Sequence, residues 1–198
     1  MHEPLLKIVA IGPESTGKSS LCASLAAHYG AHWCPEYARE YLTVNGNAYT
    51  YDDLLAIARG QLEREDAAAR QAEADLLARK APPLLFIDTD MQVMRVWCEF
   101  VFGRCHRFIL DGIVERRYDL YLLCHTDLPW QRDALREYPD LQTRDRLFRM
   151  YREILVNQEV PWAPVTGTGP ERLEMAMNAV DGLLKARQLG VAAPSMAG

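Results

Sequence analysis

Apolar residues follow two rhythms along this chain, and their alternation predicts its architecture. Short, nearly continuous apolar runs at residues 5–11, 84–88 and 119–124 read as strands buried on both faces of a sheet. Two shorter runs, 31–34 before Pro35 and 163–166, read as further strands. Between them the apolar positions shift to helical spacing. Leu21, Leu25 and Tyr29 line one side of 18–29, which Gly30 ends. Thr50 and Asp53 have the spacing of a helix cap, and the helix they open runs to residue 80 with Leu54, Ala58, Leu62, Ala69 and Leu76 on one side, before Pro82 and Pro83. Residues 91–102 are apolar and aromatic, Leu147, Tyr151 and Leu155 line 144–156, and Pro170 opens a last helix to about residue 189. Strand and helix alternate throughout. The expected fold class is therefore α/β: a five-stranded parallel sheet flanked by helices, with right-handed crossovers. The polar stretch 129–139 reads as a loop, and 191–198, small and rich in Ala, Gly and Pro, as a frayed tail after one domain spanning 1–190.

Composition narrows the function classes. The 198 residues suit one domain, and 49% hydrophobic with 25% charged residues excludes a disordered or collagen-like chain. The net charge is −5, with no long Lys/Arg run, so neither non-specific nucleic-acid binding nor adhesion to a membrane surface is expected. Five cysteines, an odd number without a CxxC pair, predict free buried thiols rather than a disulfide framework or zinc site. No stretch approaches the roughly 20 apolar residues that span a bilayer, and residues 1–4 lack a basic secretory leader. A cytoplasmic location is the expectation.

The strongest chemical signal is Gly12-Pro13-Glu14-Ser15-Thr16-Gly17-Lys18-Ser19, which satisfies GxxxxGK[ST] at every fixed position. A buried strand runs into Gly12 and a periodic helix runs out of Lys18, the context the motif requires. Glycines let backbone N–H groups converge on phosphate oxygens. Lys18 supplies a cation for the β- and γ-phosphates, Ser19 a hydroxyl for Mg²⁺, and the helix start its positive dipole end. Gly12, Glu14, Ser15, Thr16, Gly17, Lys18, Ser19 and Ser20 are the candidate ATP-binding residues. The magnesium also needs an acid at the end of a neighbouring strand. Asp88 stands there, open to a second role as a helix cap, for which Asp90 is the better placed.

Other residues bear on the phosphoryl acceptor. Pro35-Glu36-Tyr37-Ala38-Arg39-Glu40 follows the second strand, so its polar groups fall at the carboxyl edge of the sheet. Glu36 there can take a proton from an attacking hydroxyl, and Arg39 can hold substrate. Trp97 is open to two readings, stacking on a flat ring or packing in the core. Between Trp130 and Arg152, six arginines face four acids. Residues 127–146 then read as a lid whose Arg132, Arg136 or Arg144 approaches phosphate and excludes water; a solvated, salt-bridged helix face is the alternative. Gly167, after the last strand, falls where a loop would approach adenine.

These motifs, with Phe86-Ile87-Asp88-Thr89-Asp90, Trp97-Cys98-Glu99 and Tyr118-Asp119-Leu120-Tyr121-Leu122-Leu123, occur in one order. Together they resemble the ribosylnicotinamide kinase domain of the NadR type and its stand-alone relatives, which are often labelled AAA-type ATPase domains. The resemblance runs from Leu6 to about Leu184. The PEYARE-type segment and the DTD–WCE pair are more specific than the phosphate loop alone. The resemblance implies a nucleoside- and nucleotide-kinase-like fold and ATP- and Mg²⁺-dependent phosphorylation of the ribose 5′-hydroxyl of nicotinamide riboside. It assigns phosphate and metal to Lys18 and Ser19, the reacting hydroxyl and metal to Glu36 and Asp88, and the substrate pocket to Glu36, Tyr37, Arg39, Asp88, Asp90 and Trp97. Only residues 1–4 precede the first strand, so the adenylyl-transfer and DNA-binding roles of longer relatives are not expected here. A kinase of another nucleoside or nucleotide, or a regulatory nucleotide-binding ATPase, are the competing readings.

Overall fold

A computed structural model describes residues 4–132, 135 and 137–191. Strand β1 (Leu6–Ile11) is the centre of the sheet because both its faces are apolar. Leu6, Ile8 and Ala10 enter one core, and Val9 and Ile11 enter another. The chain continues as α1 (Lys18–Tyr29), β2 (His32–Cys34), α2 (Tyr37–Asn45), α3 (Tyr51–Leu77), β3 (Leu84–Asp88), α4 (Met91–Phe102) and α5 (Arg107–Glu115). It closes with β4 (Leu120–Cys124), α6 (Leu141–Val156), β5 (Trp162–Val165) and α7 (Gly169–Gln188). The strands lie in the order β2-β3-β1-β4-β5, and every pairing is parallel.

Helices α1 and α7 cover one face, burying Leu21, Leu25, Val180 and Leu183 against Phe86, Leu120 and Leu122. Helices α4 and α6 cover the other, with Val93, Val96, Leu147 and Leu155 against Ile87 and Leu123. A third cluster lies beyond the sheet, where α2, α3, α4 and α5 bury Leu42, Ile57, Met94 and Ile109. The five predicted strands and all five predicted helices are present within a few residues. The cap of α3 forms as expected, Thr50 Oγ1 accepting from the Asp53 amide at 3.3 Å while Asp53 accepts from the Thr50 amide at 2.7 Å. Two helices, α2 and α5, were not anticipated.

All five cysteines are free thiols. Burial pushes those of Cys34 and Cys98 up to about 12, so they are inert at neutral pH. Among the described residues, no helix is long and apolar enough to cross a membrane. The expected tail, apart from Val191, lies outside the described residues.

Candidate active site

Parallel strands bring the functional residues to one edge. Ala10 of β1 pairs with Asp88 of β3, and Ile11 with Leu123 of β4. The loop that starts at Gly12 therefore emerges between Asp88 and the end of β4, with Glu36 beyond β3 after β2. Gly12 has φ +144° and lies against β4, where an added Cβ would meet the Cys124 carbonyl oxygen at 2.6 Å. Only glycine fits both constraints. Inside the loop, Thr16 Oγ1 donates to the Pro13 carbonyl at 2.7 Å, and the Lys18 ammonium donates to the Gly12 and Pro13 carbonyls at 3.0 and 2.9 Å. The buried guanidinium of Arg172, on α7, ties the loop's end to the rest of the sheet edge. It donates to the Thr16 carbonyl at 2.7 Å, the His125 carbonyl at 3.2 Å and the Asp127 carboxylate at 2.8 Å.

A cavity of about 370 Å³ opens beside this loop. Residues 12–20 form one end. The other is walled by Leu42, Tyr49, Trp97, Phe100 and Tyr138. Glu36 lines the space between them. Asp88 is fully buried beneath, and among the described residues neither of its carboxylate oxygens has a hydrogen-bond partner. The Ser19 hydroxyl and Glu36 amide approach closely enough to favour its charge without meeting hydrogen-bond geometry. An orphaned carboxylate next to a serine hydroxyl is costly unless a cation joins it. Burial raises both acids above the usual carboxylate range. The Asp88 charge adds to the rise at Glu36, and the Lys18 ammonium counteracts it at both.

The turn after Asp88 is strained. Thr89, β-branched and buried, has φ +76°. Buried Gln61 of α3 holds it by donating to the Thr89 carbonyl at 2.9 Å, and Gln61 also accepts from the Tyr37 amide at 2.7 Å. This fixes the start of α2, and with it Glu36, against the end of β3. Thr89 Oγ1 in turn donates to Glu36 at 3.4 Å.

The expected site residues divide. Gly12 through Ser20 as expected, Glu36, Arg39 and Trp97 line the cavity, with Asp88 beneath. Trp97 Nε1 donates to the Tyr49 hydroxyl at 2.9 Å and meets its ring edge-on at 5.0 Å. Four other residues sit elsewhere. Tyr37, one helical step from Glu36, turns toward α3, its ring filling the space where a Cβ on Gly60 would lie 2.1 Å away, with Arg64 stacked on it. Asp90 is the cap of α4, accepting from the amides of Gln92 and Val93 and from Tyr121 Oη at 2.8 Å, and is outside the cavity lining. Gly167 donates to Asp127 at 2.6 Å, outside the cavity lining. Arg132 is exposed and likewise outside it, and Arg136 lies outside the described residues.

The expected lid span, 127–146, overlaps a helix. Its C-terminal part is the first turns of α6, capped by Asp140, and Arg144 is a buried strut donating to the Ser15 and Leu128 carbonyls. The acid of the loop has its own partners. The Glu14 carboxylate accepts from Trp130, Glu137 and Tyr138 rather than pointing into the phosphate cradle. Gln61, Thr89 and Arg172 had no signal in the pattern of the chain. The partners named above are 24 to 156 residues away in sequence.

A family model described as an AAA domain matches residues 7–172. The trifunctional NAD biosynthesis/regulator protein NadR of Escherichia coli (strain K12) is 30% identical over 162 residues, covering 80% of this chain and 37% of NadR. The chain thus spans little more than a third of that relative's length. A crystal structure of NadR protein in complex with NR superposes with a TM-score of 0.68 at 21% identity, covering 98% of this chain and 52% of that one. Thymidylate kinase from Ehrlichia chaffeensis superposes with a TM-score of 0.57 at 12% identity, covering 90% of this chain and 98% of that one.

Proposed function

We propose that this chain, which belongs to the AAA-domain family, is an ATP-dependent kinase that phosphorylates the ribose 5′-hydroxyl of nicotinamide riboside. The observation that carries the reading is one cavity with a phosphate loop at one end, an aromatic wall at the other, and the Glu36–Asp88 pair between. The similar NadR structure, which holds NR, adds support for the acceptor.

In this reading the loop amides and Lys18 hold the β- and γ-phosphates. Ser19 and Asp88 would hold Mg²⁺, and the unpartnered Asp88 oxygens fit that ion. One carboxylate and one hydroxyl suffice, because magnesium takes its remaining ligands from phosphate and water. When bound, the ion neutralises charge developing on the transferred group. Glu36, at the cavity surface and kept basic by burial, accepts the hydroxyl proton, and Arg39 orients the acceptor. This division of roles is supported by burial, Asp88 being fully buried while Glu36 lines the cavity.

The wall also selects the acceptor class. Among the described lining residues the cations are Lys18 and Arg39, both on the reaction side. The far wall offers aromatic faces and the Glu137 carboxylate. Such a wall suits an uncharged or cationic flat ring rather than a monophosphate, and the pyridinium of nicotinamide riboside is a flat cation. The test is ADP release by purified protein with ATP and Mg²⁺ against a panel of nicotinamide riboside, deoxyadenosine and thymidylate. Stimulation by the riboside is expected. Stimulation by thymidylate alone, or by no acceptor, refutes the assignment.

A further inference from the structure

An acid in a phosphate loop is electrostatically out of place, since it repels the triphosphate it stands beside. In this structure the Glu14 carboxylate takes three donors. Oε1 accepts from Trp130 Nε1 at 3.3 Å and from the Tyr138 amide at 2.6 Å, and Oε2 accepts from the Glu137 amide at 3.0 Å. The next residue repeats the pattern, Ser15 Oγ accepting from the Gln131 amide at 3.1 Å. Two of the residues so held, Glu137 and Tyr138, line the acceptor wall. Glu137 accepts from the Tyr49 hydroxyl at 2.7 Å, Tyr49 accepts from Trp97, and the Tyr138 ring meets Phe100 edge-on at 5.4 Å. A continuous hydrogen-bonded path thus runs from the phosphate loop through Glu14, Glu137 and Tyr49 to Trp97.

We propose that Glu14 is a positioning residue for the acceptor, fixing the Glu137–Tyr138 wall to the loop that binds the donor. The inference rests on the kinase reading for its kinetic arm and on geometry alone for its structural arm. One carboxylate thus joins the donor end of the cavity to two residues of its other wall. Glutamine at this position keeps the size but presents one acceptor oxygen to three donors, and its NH₂ group confronts an N–H. Charge-assisted bonds to backbone amides are lost in that exchange.

The experiment compares wild type with Glu14→Gln in two measurements. Hydrogen exchange at the Glu137 and Tyr138 amides is expected to accelerate by about tenfold or more, the loss of one to two such bonds, with exchange in α1 unaltered. In steady-state kinetics with ATP and nicotinamide riboside, KM for the riboside is expected to rise about tenfold while KM for ATP moves less than about threefold. Unaltered exchange at those amides overturns the proposal, as does a rise in KM for ATP without one for the riboside, which would make Glu14 a nucleotide contact. If wild type itself leaves the riboside untouched, the kinase assignment falls, and the exchange measurement still decides the role of Glu14.

Discussion

Replacing Arg172 with methionine is expected to loosen the phosphate loop from a position outside the cavity. The guanidinium is 6% exposed and donates to three backbone carbonyls, those of Thr16, His125 and Gly167, and to Asp127. Methionine fills similar space with no donor. Breaking a fully buried ion pair from one side costs about 3–5 kcal/mol. Asp127 is 28% exposed and keeps the Gly167 amide, so water recovers part of that cost. The lower end, about 3 kcal/mol, is the fitting estimate. At a urea slope of roughly 2 kcal/mol/M, the midpoint should fall by about 1.5 M, and Tm by about 6–12 °C. The control is Arg187→Ala, which removes a half-exposed pair with Asp119 at 3.4 Å and should change stability by less than about 0.5 kcal/mol. Urea unfolding followed by circular dichroism compares the two. If Arg172→Met shifts the midpoint no further than Arg187→Ala, the strut does not hold the loop and the reasoning fails.

Two further predictions concern the buried acids. Glu36→Gln should leave nucleotide binding intact and reduce phosphoryl transfer by about 10²–10⁴-fold; because Glu36 is raised by burial and by Asp88, wild-type turnover should fall as pH drops through that raised value, and the variant should lack this acid limb. Transfer at the native rate in the variant would remove Glu36 from the reaction. Asp90, buried and raised to about 6 from 3.8, binds its proton more tightly when folded, so its stabilising effect is complete below about pH 3.8 and is lost as pH rises through 6. Asparagine caps equally well, so relative to Asp90→Asn the wild type should lose about 2–3 kcal/mol between pH 4 and pH 7 in urea titrations, and a constant difference would contradict the burial argument.

The residues explain why some of this was legible in the sequence. The strands read clearly because burial on both faces leaves unbroken runs such as Leu84–Ile87, and the phosphate loop reads clearly because its chemistry tolerates few residue types. Helices α2 and α5 were hidden because they bury little of their own length, Ala38 and Leu42 in one and Ile109 and Gly112 in the other. Their partners belong to the third cluster, which forms only after α3 and α4 are in place. Side-chain direction was less legible than position. Glu36 and Tyr37 are neighbours in sequence, yet the start of α2 sends one into the cavity and the other onto Gly60. Arg144, one of three arginines expected near phosphate, donates to the Ser15 and Leu128 carbonyls. Gln61, Thr89 and Arg172 act through partners that are distant in sequence, so no local pattern could mark them.

The proposed reaction is phosphoryl transfer to a nucleoside in the cavity between the phosphate loop and the aromatic wall. Mass-spectrometric detection of product, with ADP counted in the same reaction of purified protein, ATP, Mg²⁺ and nicotinamide riboside, tests it most directly. Nicotinamide mononucleotide and ADP are expected in equal amounts, with both lost in Lys18→Ala. ADP release that is the same with and without the riboside, and no phosphorylated riboside, would contradict it.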